Sequence, residues 1–218
     1  MIQRIFDIVI SFSAILIASP ILILVIIILK LTGEGEVFYL QKRVGKNGKE
    51  FGLLKFATMI KNSSKIGAGD ITLSNDPRVL PFGKFLRKTK INELPQIWNI
   101  LNGEMSIVGP RPMVSNTLSK YPKNDKEIIM QITPGLTGIG SIIFRDEESY
   151  LTNKSDAIKF YDEQIIPYKS SLEVWYVSNV SIKTYFLVIF VTAWVIIVPK
   201  SKITDLVFKG LPKKPDFF

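Results

Sequence analysis

The sequence predicts a membrane-associated α+β protein, and three observations lead there. Residues 8–29 form an apolar run broken only by three serines and one proline. Residues 37–54 place two short apolar and aromatic runs on either side of a Gly- and Asn-rich turn. Beyond that hairpin signal, glycine and proline cut the chain into short segments that carry helix start and stop signals.

The first run is long enough for a membrane helix of about 20 residues. It is too long for the core of a signal peptide, and no small-residue cleavage site follows it. Ser19-Pro20 stands near its middle, where proline removes a backbone donor and kinks or breaks a helix. Each arm would then reach roughly 17 Å, short of a bilayer core of about 30 Å. Hydropathy alone favours a kinked spanning helix over a dip that returns to the same side. Arg4 precedes the run, while Lys30, Lys42, Arg43, Lys46 and Lys49 follow it, which keeps the bulk of the chain in the cytoplasm.

The hairpin strands are Val37-Phe38-Tyr39-Leu40 and Phe51-Gly52-Leu53-Leu54, with Gly45-Lys46-Asn47-Gly48 supplying positive φ at the turn. Residues 61–75 are small and polar and predict a mobile loop. A helix is expected over 93–102, with Asn92 as N-cap, Pro95 in the first turn and Gly103 as the stop. Residues 104–112 and 133–138 are read as two Gly-Pro loops, and 155–178 as helical. Residues 185–198 are almost wholly apolar but short for a span, so a helix at the membrane interface, or packed on the first segment, is expected. Tyr185 and Trp194 suit that interface, and the five lysines after Pro199 would attract anionic lipids. No internal linker is visible; the segments are 1–31 for the membrane helix, 32–183 for a cytoplasmic domain, and 184–218 for the interfacial helix and basic tail.

Composition limits the chemistry. With 28 Lys and Arg against 19 Asp and Glu, the net charge of +9 calls for an anionic partner. There is no cysteine and no histidine, so thiolate sites, Ser-His triads and the usual zinc hydrolases are excluded. Catalysis is left to carboxylates, lysine, arginine and a hard, oxygen-liganded cation. Arg78, Lys84, Arg87, Lys88 and Lys90 crowd the approach to Asn92-Glu93, and Arg111 sits between two prolines in a stiff loop. A helix N-terminus beside such a cluster would hold phosphate, although a solvated charged face and an ordinary capping Asn explain the same residues without chemistry. A nucleic-acid-binding role would also use the charge, but no aromatic RNA-binding sheet or helix-turn-helix pattern accompanies it.

Lys55-Phe56-Ala57-Thr58-Met59, the stretch from Asp76 to Gln96, the stretch from Asn99 to Pro112, and Pro134-Gly135-Leu136-Thr137-Gly138 follow one another in order. Together with the apolar helix interrupted at Ser19-Pro20, they resemble the bacterial sugar transferases, the monotopic polyprenyl-phosphate phosphoglycosyl transferases. The resemblance runs from about residue 2 to 190. It implies transfer of a sugar 1-phosphate from a UDP-sugar to polyprenyl (undecaprenyl) phosphate, with release of UMP, at the cytoplasmic face of the bacterial inner membrane. It also implies a re-entrant helix with both ends in the cytoplasm, Mg2+ at a carboxylate dyad, and a covalent phosphosugar intermediate on the dyad's aspartate.

By that resemblance, Asn92 and Glu93 hold the catalytic and metal-binding positions. Lys55, Arg78, Arg87, Arg111 and Glu173 are the substrate- or phosphate-binding candidates. The chain departs from the family pattern at four places. Asn92 replaces the nucleophilic aspartate, Ala57 stands where arginine is common, Ile139-Gly140-Ser141 replaces Trp-Ala-Gln, and Ser171-Leu172-Glu173 replaces Glu-Leu-Asp. The first departure leaves two readings: an active enzyme in which Glu93 or the lipid phosphate itself attacks, or an impaired homologue that binds substrates or scaffolds a glycan-assembly complex. Self-association is left open.

Overall fold

A computed structural model describes residues 2–63, 66, 76–151, 156–199 and 201–218. The described part is mixed helix and sheet, as the patterning predicts. It forms two compact units, Met1–Arg43 with Phe51–Gly103, and Val44–Glu50 with Glu104–Phe218. This division runs otherwise than the three segments drawn from hydropathy. Most of the expected 61–75 loop lies outside the described residues.

In the first unit, α1 (Ile2–Leu31) is a single helix of 30 residues with Pro20 inside it. The expected break at Ser19-Pro20 does not interrupt the helix. Proline leaves the carbonyl of Leu16 without its usual donor four residues on, and the Ser19 hydroxyl donates to that carbonyl at 2.9 Å. The middle of the helix is bare: Phe12, Leu16, Ile17 and Ile21 are all exposed. Its ends are not. Arg4 donates to the carbonyls of Ile100 and, at 2.7 Å, Leu101, capping the last turn of α3 (Gln96–Leu101). At the other end, Val25 and Leu29 are buried with Phe56 and Leu86, and Leu22, Ile26, Val37, Phe82 and Ile91 pack around them.

β1 (Phe38–Val44) pairs with β2 (Glu50–Phe56), bearing out the hairpin. Asn99 on α3 locks β2 by accepting from Leu54 N at 3.0 Å and donating to the Gly52 carbonyl at 2.8 Å. α2 (Pro81–Lys88) begins on a proline, as first turns allow, and Lys90 turns the chain at φ 60.

Here the expected helix over 93–102 is corrected. Ile91–Glu93 is one 3-10 turn, and Pro95, not Asn92, occupies the N-cap position of α3. Glu93 N bonds to Lys90 O at 3.0 Å and Leu94 N to Ile91 O at 3.1 Å. Leu94 N is the N2 amide that an Asn92 cap would use, and Pro95, at N3, has no N–H to offer.

In the second unit, the hairpin tip turns through Asn47 at φ 57 and Gly48 at φ 75. It is tied down by Val44 N to Met113 O at 2.8 Å and Asn47 N to Met130 O at 2.7 Å. The two expected Gly-Pro loops each contain a short strand. β3 (Ser106–Val108) and β4 (Gly135–Thr137) pair in parallel, with Ser106 opposite Gly135 and Val108 opposite Thr137. Strands of three residues among glycines and prolines leave no alternating pattern to read.

Around this pair lie α4 (Ser115–Ser119), α5 (Lys123–Ile129), α6 (Ile139–Ile143), α7 (Glu147–Leu151), α8 (Ala157–Phe160) and a π turn, Tyr161–Ile165, that runs into α9 (Ile166–Ser178). α9 packs on α5 and α6, and Ser170 Oγ donates to Asp125 Oδ2 at 2.6 Å across the first contact. Leu118, Tyr121, Ile129 and Ile166 form the core there.

α10 (Ile182–Ile197) packs on β3, β4, α6 and α11 (Ile203–Val207) through Tyr185, Val188, Val191 and Val195. Tyr185, expected at a membrane interface, is instead 1% exposed inside the protein. Phe186, Phe190, Trp194 and Ile197 form an exposed apolar stripe on another face of the helix.

Candidate active site

The expected site residues divide between the two units, and each half has its own construction. In the first unit, Asn92 is buried at 7% exposure, and its Oδ1 has no hydrogen-bond partner among the described residues. A buried acceptor without a partner costs about 1–3 kcal/mol. Gln96 on α3 is also buried, with Nε2 unpartnered. Glu93 follows Asn92 in the same 3-10 turn and is half-buried. Arg87, half-buried in the last turn of α2, is carried by a helix that packs directly on this turn. Lys55 lies half-buried on β2, the strand that Asn99 locks to α3. Lys84, Lys88 and Lys90 are exposed, as a solvated face would be.

No group of three or more acidic side chains gathers to hold a cation among the described residues. Asn92 and Glu93 still suit Mg2+, which takes few protein ligands and completes its shell with water and phosphate oxygens. The donors are hard oxygens, and Asn92 Oδ1 is a buried acceptor with nothing yet to accept from.

Arg78 differs from the expectation of a phosphate ligand. It is 4% exposed, and its guanidinium grips Asp76 through Nε at 2.9 Å and 3.1 Å and Nη2 at 2.6 Å. Nη1 donates to the carbonyls of Ser63 at 2.8 Å and Ile66 at 2.7 Å. These bonds make Arg78 a clamp on the preceding loop. Asp76, its partner, was legible only as an acid two residues away.

In the second unit, Arg111 stands in the turn after β3. That turn is laced to the β4 turn by Gly109 N to Thr137 O at 2.9 Å and Gly135 N to Pro110 O at 2.8 Å. The two backbones approach too closely for side chains. A Cβ on Gly109 would lie 2.5 Å from the Thr133 carbonyl, and one on Gly135 would overlap the Gly109 nitrogen.

Glu173, on α9, is 3% exposed. Its Oε1 accepts from the Arg111 backbone N–H at a long 3.4 Å, and its Oε2 has no partner among the described residues. Burial pushes its carboxyl up to about 7, against the smaller opposing effects of the Arg111 N–H, Lys169 and the Arg111 charge. In this structure the Glu173 carboxyl therefore meets the Arg111 backbone. Sequence reading missed Gly109, Gly135, Gly138 and Gly140 as spatial requirements, because room for a Cβ is set by chain segments far apart in sequence.

A family model for bacterial sugar transferases matches residues 1–199. The undecaprenyl-phosphate galactose phosphotransferase of Salmonella typhimurium is 34% identical over 89% of this chain and 40% of its own length. The UDP-glucose:undecaprenyl-phosphate glucose-1-phosphate transferase of Klebsiella pneumoniae is 33% identical over 86% of this chain and 39% of its own length. The chain therefore spans about two fifths of the length of these relatives. The exopolysaccharide production protein ExoY of Sinorhizobium fredii is more nearly its size, at 38% identity over 69% of this chain and 72% of that protein.

Proposed function

The chain belongs to the bacterial sugar transferase family, and from that premise we propose that it transfers a sugar 1-phosphate from a UDP-sugar to undecaprenyl phosphate. The products are undecaprenyl-diphosphate sugar and UMP, and the step opens the membrane stage of surface glycan assembly. The observation that carries the reading is the family match over residues 1–199, which takes in every candidate site residue. Relatives named for this reaction with galactose and glucose support it.

Glu93 supplies the attacking carboxylate in this reading. It attacks the phosphorus next to the sugar, the bond to UMP breaks, and a phosphosugar remains on the carboxylate. The lipid phosphate oxygen then attacks the same phosphorus, releasing Glu93 and forming the diphosphate. Splitting the transfer lets two bulky anions use one site in turn. Arg87, Lys55 and Arg111 hold the phosphates and offset their charge. Asn92 and Glu93 are the residues that would hold Mg2+, which supplies charge neutralisation at the transferring phosphoryl group.

Membrane attachment is part of the proposal. Both ends of α1 are tied to one unit, by Arg4 on α3 and by Val25 and Leu29 beside Phe56 and Leu86, while its apolar middle is bare. An unbent helix would separate Arg4 from Leu29 by about 38 Å. Attachment of both to one unit supports a dip from the cytoplasmic face of the inner membrane and a return to it. Anionic lipids would meet the basic tail.

The neutral Asn92 motivates a second reading, an impaired homologue that binds substrates or scaffolds a glycan-assembly complex. Intact-mass spectrometry after mixing with a panel of UDP-sugars and Mg2+ separates the two. A phosphosugar adduct that maps to Glu93 and disappears in Glu93→Gln establishes the first reading. Binding of UDP-sugar with no adduct, no UMP release on adding undecaprenyl phosphate, and no gain from Asn92→Asp establishes the second.

A further inference from the structure

We infer that Gly140 and Glu173 form one positioning unit that sets where the 109–112 turn, and hence Arg111, is held. This rests on the reading of Arg111 as a substrate phosphate ligand. Gly140 lies in α6 and is not among the glycines with positive φ, so backbone conformation does not demand a glycine there. Space does. A Cβ at 140 would collide with Glu173 Oε1 and lie 3.1 Å from its Cδ, so the carboxyl fills the room that any other residue at 140 would use.

The same carboxyl reaches two other elements. Oε1 accepts from the Arg111 N–H, and a Cβ at Gly138 would meet Oε2 at 4.0 Å and overlap the Gly109 carbonyl. Glu173 is therefore a peg on α9, seated against α6, with its tip on the backbone of the Arg111 turn. The surrounding charges do not give it an ion-pair partner of its own among the described bonds. Lys169, one turn earlier on α9, donates to Glu147 at 2.6 and 2.8 Å. Tyr121 and the Arg111 guanidinium complete the titratable and charged groups that act on it. A buried carboxyl with so little compensation is expensive to keep, which argues that its position matters.

The pair makes a specific claim about substitutions. Gly140→Ala forces Glu173 aside. Glu173→Asp withdraws the carboxyl by one methylene and loosens the turn. Together they relieve the clash, because the new methyl takes the space that the shorter acid vacates, while the reach to the Arg111 N–H stays as short as in Glu173→Asp. The test uses the full chain in nanodiscs, with wild type, both single variants and the double variant. Gly140→Ala is expected to lower UMP release by about tenfold or more, with KM for the UDP-sugar rising, and the double variant to recover to the level of Glu173→Asp alone.

Glu173→Gln, which keeps the shape and the acceptor, should lose less than Glu173→Ala. A double variant no better than the poorer single variant overturns the pairing. So does a Glu173→Gln protein with unchanged melting temperature and no turnover, which would give the carboxylate a direct chemical role. If the wild type releases no UMP with any UDP-sugar, the functional reading fails instead. The melting temperatures of the same four proteins then decide the pairing, since coupling between 140 and 173 appears there whether or not the protein turns over.

Discussion

The Asn92 turn and the Arg111 turn are built on opposite plans. At Asn92 the chain is held by side chains: Asn99 bridges to β2, Arg4 caps α3, and Arg78 clamps the loop before α2. The Asn92 amide itself does none of the holding, since its Oδ1 has no partner among the described residues. At Arg111 the chain is held by backbone against backbone, through Gly109, Gly135 and Gly138, with the Glu173 side chain at the join. A turn held from outside can change the residue at its centre without losing its shape. A turn made of touching backbones cannot.

The largest expected effect lies in the backbone-held turn. Gly135→Ala places a methyl on the Gly109 nitrogen and 2.5 Å from the Thr137 carbonyl, and should cost more than about 4 kcal/mol. Urea unfolding of the purified variant would show this, and a near-normal midpoint would refute the close-approach account.

Next is Asp76→Ala, which strands the buried Arg78 guanidinium. Breaking such a pair should cost about 3–5 kcal/mol. A loss below about 1 kcal/mol in the same measurement would reduce the clamp to a surface ion pair.

The third prediction concerns pH. The Glu173 carboxyl is raised from its ordinary 4.5 to about 7 in the folded chain, chiefly by burial. The folded state therefore binds more protons than the unfolded one between those values. The resulting contribution to stability is present in full below 4.5 and is lost as pH rises through 7. It amounts to about 3 kcal/mol at most. Wild type minus Glu173→Gln, followed by urea unfolding from pH 4.5 to 8, should slope downward; a flat difference would contradict the buried carboxyl.

The smallest effect separates the two asparagines of the first unit. Asn99→Ala leaves Leu54 N and Gly52 O without their partner and should cost about 2 kcal/mol. Asn92→Ala removes a costly acceptor that bonds nothing described, and its melting temperature should be at or above that of wild type.

Much of this was legible before any coordinates. The apolar run, the hairpin with its Asn47-Gly48 turn, and the helical 155–178 stretch follow from periodicity and turn chemistry, and the ordered motifs pointed to the family. What stayed hidden depends on residues distant in sequence. β3 and β4 are each too short to show a pattern and exist through their pairing. The helix entry moved from Asn92 to Pro95 because the 3-10 turn took the Leu94 amide and Pro95 has none to give a cap. Arg78 read as one more cation in a basic cluster, although a buried Asp76 two residues away claims it. The departures at Gly140 and Glu173 were visible separately, and only their contact makes them a single change.

The way α1 is fastened limits where it can be covered. Arg4 is engaged with the Ile100 and Leu101 carbonyls, and Val25 and Leu29 are buried beside Phe56 and Leu86. Most of the surface that α1 leaves bare therefore lies in the stretch between those fastenings, where Phe12, Leu16, Ile17 and Ile21 are exposed. Whatever apolar partner covers this helix has to meet it there.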